Sequence, residues 1–185
     1  MSITPYSRLL NFALYQLLWF TAILGGAPAV PVLALILVLH LSLAPNRAAE
    51  LALMLGAAFL GLVFDGLLAT VGFYAFADVP DPLPIPLWLV GIWMGFAATL
   101  RFSMAFMVAR PRLMTVAAAA FAPVTYFGAE RLGAVEFALG AAPTAVVIAL
   151  SWWVLTPILL RVEILTRNLA VPGSPQLVLR NRREV

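Results

Sequence analysis

Long apolar stretches separated by short polar turns dominate the chain, and six of them have the length of a helix. The predicted helices cover residues 9–25, 30–43, 50–72, 87–109, 113–128 and 137–160, and a tail follows at 161–185. About 20 apolar residues in a helix cross the hydrocarbon core of a bilayer. The pattern therefore predicts a single all-α domain, a polytopic membrane helical bundle with six transmembrane helices.

The first two segments leave alternatives open. Residues 9–25 followed by Ala27-Pro28-Ala29 resemble a signal peptide with a cleavage site, but Asn11 and Gln16 interrupt the apolar run, which favours a packed helix. Residues 30–43 are few for a span. A re-entrant hairpin of the two segments would leave the parity of membrane crossings unchanged.

The segment 50–72 is the one around which we expect the bundle to be organised. At about 100° per residue, Glu50, Ala57, Gly61 and Asp65 fall on one side of this helix, and large apolar residues occupy the rest. Small residues such as Ala57 and Gly61 allow a neighbouring helix backbone to approach closely. Asp65 is then predicted to point into a helix contact instead of into lipid.

Composition supports a membrane protein. Hydrophobic residues make up 64% of the chain and charged residues 10%, and the mean hydropathy is +1.04, which excludes an ordinary soluble domain. Cysteine is absent, so disulfides and thiolate chemistry are excluded. All 11 basic residues are arginines, and most lie near predicted helix ends, where they suit anionic headgroups better than nucleic acid.

The distribution of arginine predicts the orientation. With six spans, one side of the membrane receives Arg8, Arg47, Arg110, Arg112, Arg161, Arg167, Arg180, Arg182 and Arg183. The loops on the other side contain Arg131 together with four acidic residues. Because cytoplasmic loops are enriched in Arg and Lys, we expect both termini in the cytoplasm and the protein in a bacterial inner membrane.

Five polar side chains within the predicted helices are candidates for a ligand site or an ion path. They are Asp65, Arg101, Gln16, Asn11 and His40. Ionisable groups inside a membrane are costly and often functional, but each also has a structural interpretation, such as a snorkelling arginine or an interfacial histidine. By depth, Asp65 belongs to an outer polar layer and Arg101 to an inner one, so we do not expect the two to pair.

Catalytic signatures are missing from the sequence. One histidine without cysteine cannot form a zinc cluster, and no glycine-rich phosphate loop, nucleophile elbow or His-Glu-x-x-His helix occurs. We predict no metal, no cofactor and no nucleic-acid partner. Membrane lipid, and other membrane proteins, are the partners that the sequence favours.

An ordered set of short motifs resembles the domain of unknown function 2878 family, whose members are small bacterial membrane proteins. The matching stretches are NFALYQLLWF at 11–20, Gly25-Gly26, Leu39-His40, Glu50-Leu51, Asp65-Gly66, Pro86-Leu87-Trp88 and Pro123-Val124-Thr125-Tyr126 followed by Gly128. The resemblance covers most of residues 9–160. Since members of the family are often encoded near enzymes that modify membrane fatty acids, it implies a role in envelope-lipid metabolism.

Two functional hypotheses remain ahead of a membrane-embedded enzyme. The first is a non-catalytic accessory or assembly factor in envelope or membrane-lipid metabolism. The second is a small transporter or solute-binding subunit with a polar site around Asp65, since the six-span layout also resembles the substrate-binding components of energy-coupling-factor vitamin transporters. A ligand-sized polar cavity around Asp65 favours the second hypothesis, and a fully hydrogen-bonded Asp65 in a packed bundle favours the first.

Overall fold

The computed structural model describes residues 7–167 and residue 169, and this part of the chain is mostly helical. The helices are α1 (Arg8–Gly25), α2 (Val30–Leu43), α3 (Arg47–Thr70), α4 (Leu87–Ala97), α5 (Ala105–Val108), α6 (Pro111–Arg131) and α7 (Ala141–Arg167). Two-residue strands β1 (Tyr74–Ala75) and β2 (Glu136–Phe137) pair antiparallel between the loops. The predicted helical character is therefore confirmed, with one short two-stranded sheet that the sequence analysis did not predict.

Local signals explain where the helices begin. The Ser7 hydroxyl accepts a hydrogen bond from the Leu10 amide at the start of α1, and the Asn46 side chain accepts one from the Ala49 amide at the start of α3. Helices α2 and α6 instead have a proline in their first turn, where the missing N–H costs no helical hydrogen bond.

Helix α4 lies at the centre of the bundle, in contact with α1, α2 and α3. Its Trp93 and Ala97 are buried, as are Leu53 and Met54 of α3. Helix α7 packs against both α3 and α6. The core is therefore built from the inner faces of α3, α4 and α7, and the functional candidates are distributed along it.

Large apolar side chains also cover the outside of the bundle. On α3 these exposed residues are Leu51, Leu55, Phe59, Val63 and Leu67. By length and composition, four of the described helices can cross a membrane, namely α1, α3, α6 and α7, while α2 and α4 are apolar but shorter. An apolar exterior around a core with polar groups is typical of a membrane protein.

The prediction of one continuous helix over 87–109 is wrong, because the structure shows an interruption in this segment. Helix α4 ends at Ala97, and the chain continues in turns with i to i+3 hydrogen bonds, such as Phe102 N–H to the Thr99 carbonyl, before α5 begins at Ala105. The Thr99 hydroxyl donates to the Phe96 carbonyl and competes with the helical pattern. Arg101, expected inside a helix, lies in this break.

The last helix also differs from the predicted span over 137–160. Phe137 belongs to β2, where it pairs with Tyr74, and α7 begins only at Ala141. At its other end α7 continues into the predicted tail as far as Arg167, because Glu163 and Arg167 form an ion pair one helical turn apart. The remaining tail, including Arg180, Arg182 and Arg183, lies outside the described residues.

Candidate functional site

Asp65 is the centre of a cluster of neutral hydrogen-bond donors, which we call the Asp65 cluster. Its Oδ1 accepts from the Tyr74 hydroxyl at 2.6 Å and from the Tyr126 hydroxyl at 3.3 Å, and its Oδ2 accepts from Trp93 Nε1 at 2.6 Å. Only 1% of Asp65 is exposed. Both carboxylate oxygens are thus satisfied inside the protein by side chains from the loop after α3, from α4 and from α6.

The position of Trp93 depends on a glycine in α3. A Cβ on Gly61 would overlap the indole ring of Trp93, so only glycine leaves room for this ring beside the helix. The indole of Trp93 also stacks on Trp152 of α7, with ring centroids 5.4 Å apart and planes within 1°. We predicted that Ala57 and Gly61 admit a neighbouring backbone; both are buried, but at Gly61 the occupant is an aromatic ring.

Tyr74 reaches Asp65 from the proline-rich connection between α3 and α4. The connection folds back over the end of α3, where Tyr74 and Ile85 are buried. Burial raises the pKa of the Tyr74 hydroxyl far above its ordinary value, and the nearby Tyr126 and Asp65 raise it further. Tyr74 therefore remains protonated at neutral pH and acts as a donor to the carboxylate.

A second cluster surrounds Arg101, and we call it the Arg101 cluster. Arg101 Nη1 donates to Glu50 Oε1 of α3 at 3.1 Å, and its Nε donates to Glu163 Oε1 of α7 at 3.1 Å. Its Nη2 donates to the Glu163 carbonyl and to the Thr166 hydroxyl. One guanidinium thus joins the break after α4 to both α3 and α7.

Charge in the Arg101 cluster is nearly balanced. Arg167 makes a second ion pair with Glu163, at 2.6 Å, and closes the cluster at the surface. His40 Nε2 lies 3.4 Å from Glu50 Oε2, a long contact whose donor depends on the histidine tautomer. The His40 side chain, for which the sequence also allowed an interfacial interpretation, is buried and packs edge-on against Phe102.

Asn11 of α1 stabilises the break between α4 and α5. Its Nδ2 donates to the Ala98 carbonyl at 3.0 Å, and its Oδ1 accepts from both the amide and the hydroxyl of Ser103. These groups are among those that the interruption of the helix leaves without helical partners. The amide of Asn11 therefore replaces part of the missing helical hydrogen bonding and holds α1 against the segment that carries Arg101.

Replacing Asn11 by alanine is expected to lower the free energy of unfolding by about 2–3 kcal/mol, because the Ala98 carbonyl and the Ser103 amide lose a buried partner. Thermal unfolding of the purified protein in detergent measures the effect. Gln16→Ala is the matched control, because it also removes an amide group from α1. The Gln16 side chain makes no hydrogen bond among the described residues. Equal stability of the two variants would contradict the role given to Asn11.

The five candidate residues do not form one site. Asn11, His40 and Arg101 lie around the break after α4, whereas Asp65 belongs to the other cluster and Gln16 to neither. Glu50 and Asp65 are both buried on α3, and 15 residues at 1.5 Å each separate the two clusters by about 22 Å along its axis. The expected absence of an Asp65–Arg101 pair agrees with these contacts.

Three residues of the clusters escaped the sequence analysis. Trp93 lies in the predicted span 87–109, Tyr74 in the connection before it and Glu163 in the predicted tail at 161–185. For Glu163 a signal existed, because the apolar periodicity continues past Leu160 and an acidic residue precedes Arg167 by four. No local pattern identifies Trp93 or Tyr74 as partners of Asp65.

A small aromatic cavity lies next to the Asp65 cluster. Its volume is about 80 Å³, and its walls include Trp19, Trp88, Trp93, Tyr126 and Trp152. The rings of Trp93 and Tyr126 line it while their polar atoms bind Asp65, and Asp65 itself is not part of its wall. The cavity is therefore mostly apolar, and it does not surround the carboxylate of Asp65.

Metal binding has no basis in the part of the chain that the structure describes. Over residues 7–167 and 169, no three His, Cys, Asp or Glu side chains form a group that could hold an ion. In the Arg101 cluster both carboxylates are already bound by arginine. The chemistry that these side chains support is hydrogen bonding and ion pairing between helices.

Comparison with known proteins identifies a family but no close relative of known activity. Neither the curated proteins nor the solved structures give a significant match. One family matches residues 8–158, a range that includes α1 to α6, most of α7, the whole Asp65 cluster and, of the Arg101 cluster, His40, Glu50 and Arg101. The chain therefore belongs to the family described as Protein of unknown function (DUF2878).

Proposed function

We propose that this protein is a multi-pass protein of the bacterial inner membrane, with six spans and both termini in the cytoplasm. Four helices long enough to cross, two shorter apolar helices, and an exterior of large apolar side chains support this location. Arg8, Arg47, Arg110, Arg112 and Arg161 lie at or near the helix ends that would face the cytoplasm. Such a bias in arginine is typical of cytoplasmic ends.

Within that membrane we propose a non-catalytic accessory or assembly role in envelope-lipid metabolism. The hydrogen bonding of Asp65 supports the non-catalytic part of this proposal, and the family resemblance supplies the link to lipids. Three donors from three parts of the fold converge on a carboxylate that is 1% exposed, so both of its oxygens are already hydrogen-bonded inside the protein. A carboxyl group held in this way joins parts of the bundle, as the Arg101 cluster does near the start of α3.

The transporter or solute-binding alternative receives less support. Sites for small molecules usually have volumes of roughly 300–1,000 Å³ with a few convergent polar groups. The cavity beside Asp65 has about 80 Å³, and its walls are mostly aromatic. The alternative therefore needs a rearrangement that opens the contact between Trp93 and Asp65.

Asp65→Asn is expected to separate the two proposals, because asparagine can accept from Trp93 Nε1 and donate to the two tyrosine oxygens. We expect normal membrane accumulation and a loss of about 1–2 kcal/mol in the free energy of unfolding. In a strain that lacks the gene, we expect an altered acyl composition of the membrane lipids. Both the wild-type gene and Asp65→Asn should restore that composition, as measured by gas chromatography.

Asp65→Leu is the matched control, since it leaves the Trp93 N–H without an acceptor and should reduce accumulation. An Asp65→Asn protein that accumulates normally but fails to complement would favour a proton- or ion-carrying Asp65, and so the transporter. An unchanged lipid composition in the deletion strain would contradict the link to envelope lipids.

A further inference from the structure

The surface between α5, α6 and the end of α7 carries a long groove. Its first part, of about 620 Å³, passes over Arg101, Val108 and Arg167, and its second part, of about 720 Å³, passes over Arg112, Trp153 and Arg161. The two parts share Pro111, Leu160 and Ile164. The two parts therefore adjoin each other, and we refer to them together as the arginine groove.

Positive charge predominates in the arginine groove. Of its charged side chains four are arginines, and the carboxylate of Glu163 is already bound by Arg101 and Arg167. Arg112 and Arg161 are exposed, and neither has an ion-pair or hydrogen-bond partner among residues 7–167 and 169. Two guanidinium groups are thus available to an anion at one place on the surface.

Apolar surface leads away from these arginines along α7. Trp153, Pro157, Arg161 and Ile164 follow one another at intervals of four, four and three residues, which places them on one face of the helix. Trp153 is 53% exposed, and eight residues separate it from Arg161, or about 12 Å along the helix. Val116 of α6 lies on the other side of the groove.

We propose that the arginine groove binds an anionic phospholipid, with its phosphate at Arg112 and Arg161 and an acyl chain along Pro157 and Trp153. Guanidinium groups form bidentate hydrogen bonds with phosphate oxygens. Basic pockets between helices near the cytoplasmic surface are suited to anionic headgroups. The inference rests on the membrane location proposed above and names the lipid class that the protein would recognise there.

Native mass spectrometry of the full-length protein in detergent tests the proposal, with phosphatidylglycerol or phosphatidylcholine added at equal concentration. We expect the wild-type protein to retain phosphatidylglycerol preferentially. The double variant Arg112→Gln/Arg161→Gln should lower that preference by roughly 10- to 30-fold while leaving the thermal unfolding midpoint unchanged. Trp153→Ala should weaken the retention of both lipids, because it shortens the apolar wall.

Arg8→Gln/Arg47→Gln is the matched control, since it removes the same charge from exposed arginines outside the groove. The proposed site would be supported if the control retained the preference for phosphatidylglycerol and the groove variant lost it. Equal loss in both variants, or equal retention of both lipids by the wild-type protein, would overturn it. If the protein did not fractionate with membranes in cells, the proposed membrane location would be contradicted. Failure of the proposed location can therefore be distinguished from failure of the proposed lipid site.

Discussion

Replacing Arg101 by alanine is expected to lower the free energy of unfolding by about 3–5 kcal/mol and to reduce the amount of protein that accumulates in the membrane. The reason is that Arg101 neutralises carboxylates on two different helices. The side chains of Glu50 and Glu163 are 5% and 1% exposed. Loss of the guanidinium leaves the buried Glu50 carboxylate without its arginine partner, and Glu163 keeps only its ion pair with Arg167. Thermal unfolding in detergent and quantitative immunoblotting of membranes measure the two effects.

Arg112→Ala provides the control for Arg101→Ala, because it removes an exposed arginine without an ion pair among the described residues. Arg101→Lys should give an intermediate loss, since lysine retains the charge but not the planar set of donors. Glu50→Gln should partly restore the stability of Arg101→Ala by removing the carboxylate that has lost its arginine partner. A stability of Arg101→Ala equal to that of Arg112→Ala would refute the structural importance of the cluster.

Replacing Gly61 by alanine is expected to destabilise the protein by at least about 2 kcal/mol, although it adds only one methyl group. The new Cβ would occupy the space of the Trp93 indole. That ring is held between α3 and Trp152 and donates to Asp65, so moving it breaks both the stack and the short hydrogen bond. Thermal unfolding and near-ultraviolet circular dichroism of the tryptophans report the change.

Gly128→Ala is the matched control for Gly61→Ala, because Gly128 also lies inside a helix but its nearest side-chain neighbour, Trp19, is 4.0 Å from the added Cβ. Alanine there should be neutral or stabilising by roughly 0.5–1 kcal/mol, as expected for helical glycine. If Gly61→Ala were as stable as Gly128→Ala, Trp93 would not occupy the position that the structure assigns to it.

Both predictions concern contacts between α3 and elements that follow much later in the chain. Local periodicity places Glu50, Ala57, Gly61 and Asp65 on one side of α3, and all four are buried in the structure. This much follows from the sequence because side-chain direction in a helix depends only on residue spacing. The periodicity does not say which residue fills the space beside Gly61 or which donors bind Asp65.

The interruption after α4 illustrates a second limit. Residues 87–109 contain no proline after Leu87, and their apolar character favours one long helix. The break becomes stable because Asn11, 87 residues away from Ala98, supplies hydrogen bonds there, and because Glu50 and Glu163 attract Arg101. Such partners come from other helices, so no window of local sequence contains them.

By itself the sequence determined that this is a mostly helical protein with an apolar exterior, that α3 turns a face with glycine and carboxylates inward, and that Asp65 and Arg101 belong to different levels of the bundle. These properties depend on composition, on helical spacing and on distance along the chain. Only the tertiary structure decided that Tyr74, Trp93 and Tyr126 satisfy Asp65 and that Arg101 joins α3 to α7. The physical reason is that a buried charge is stabilised by whichever donors or opposite charges folding brings within about 3 Å of it, and those partners are far away in the sequence.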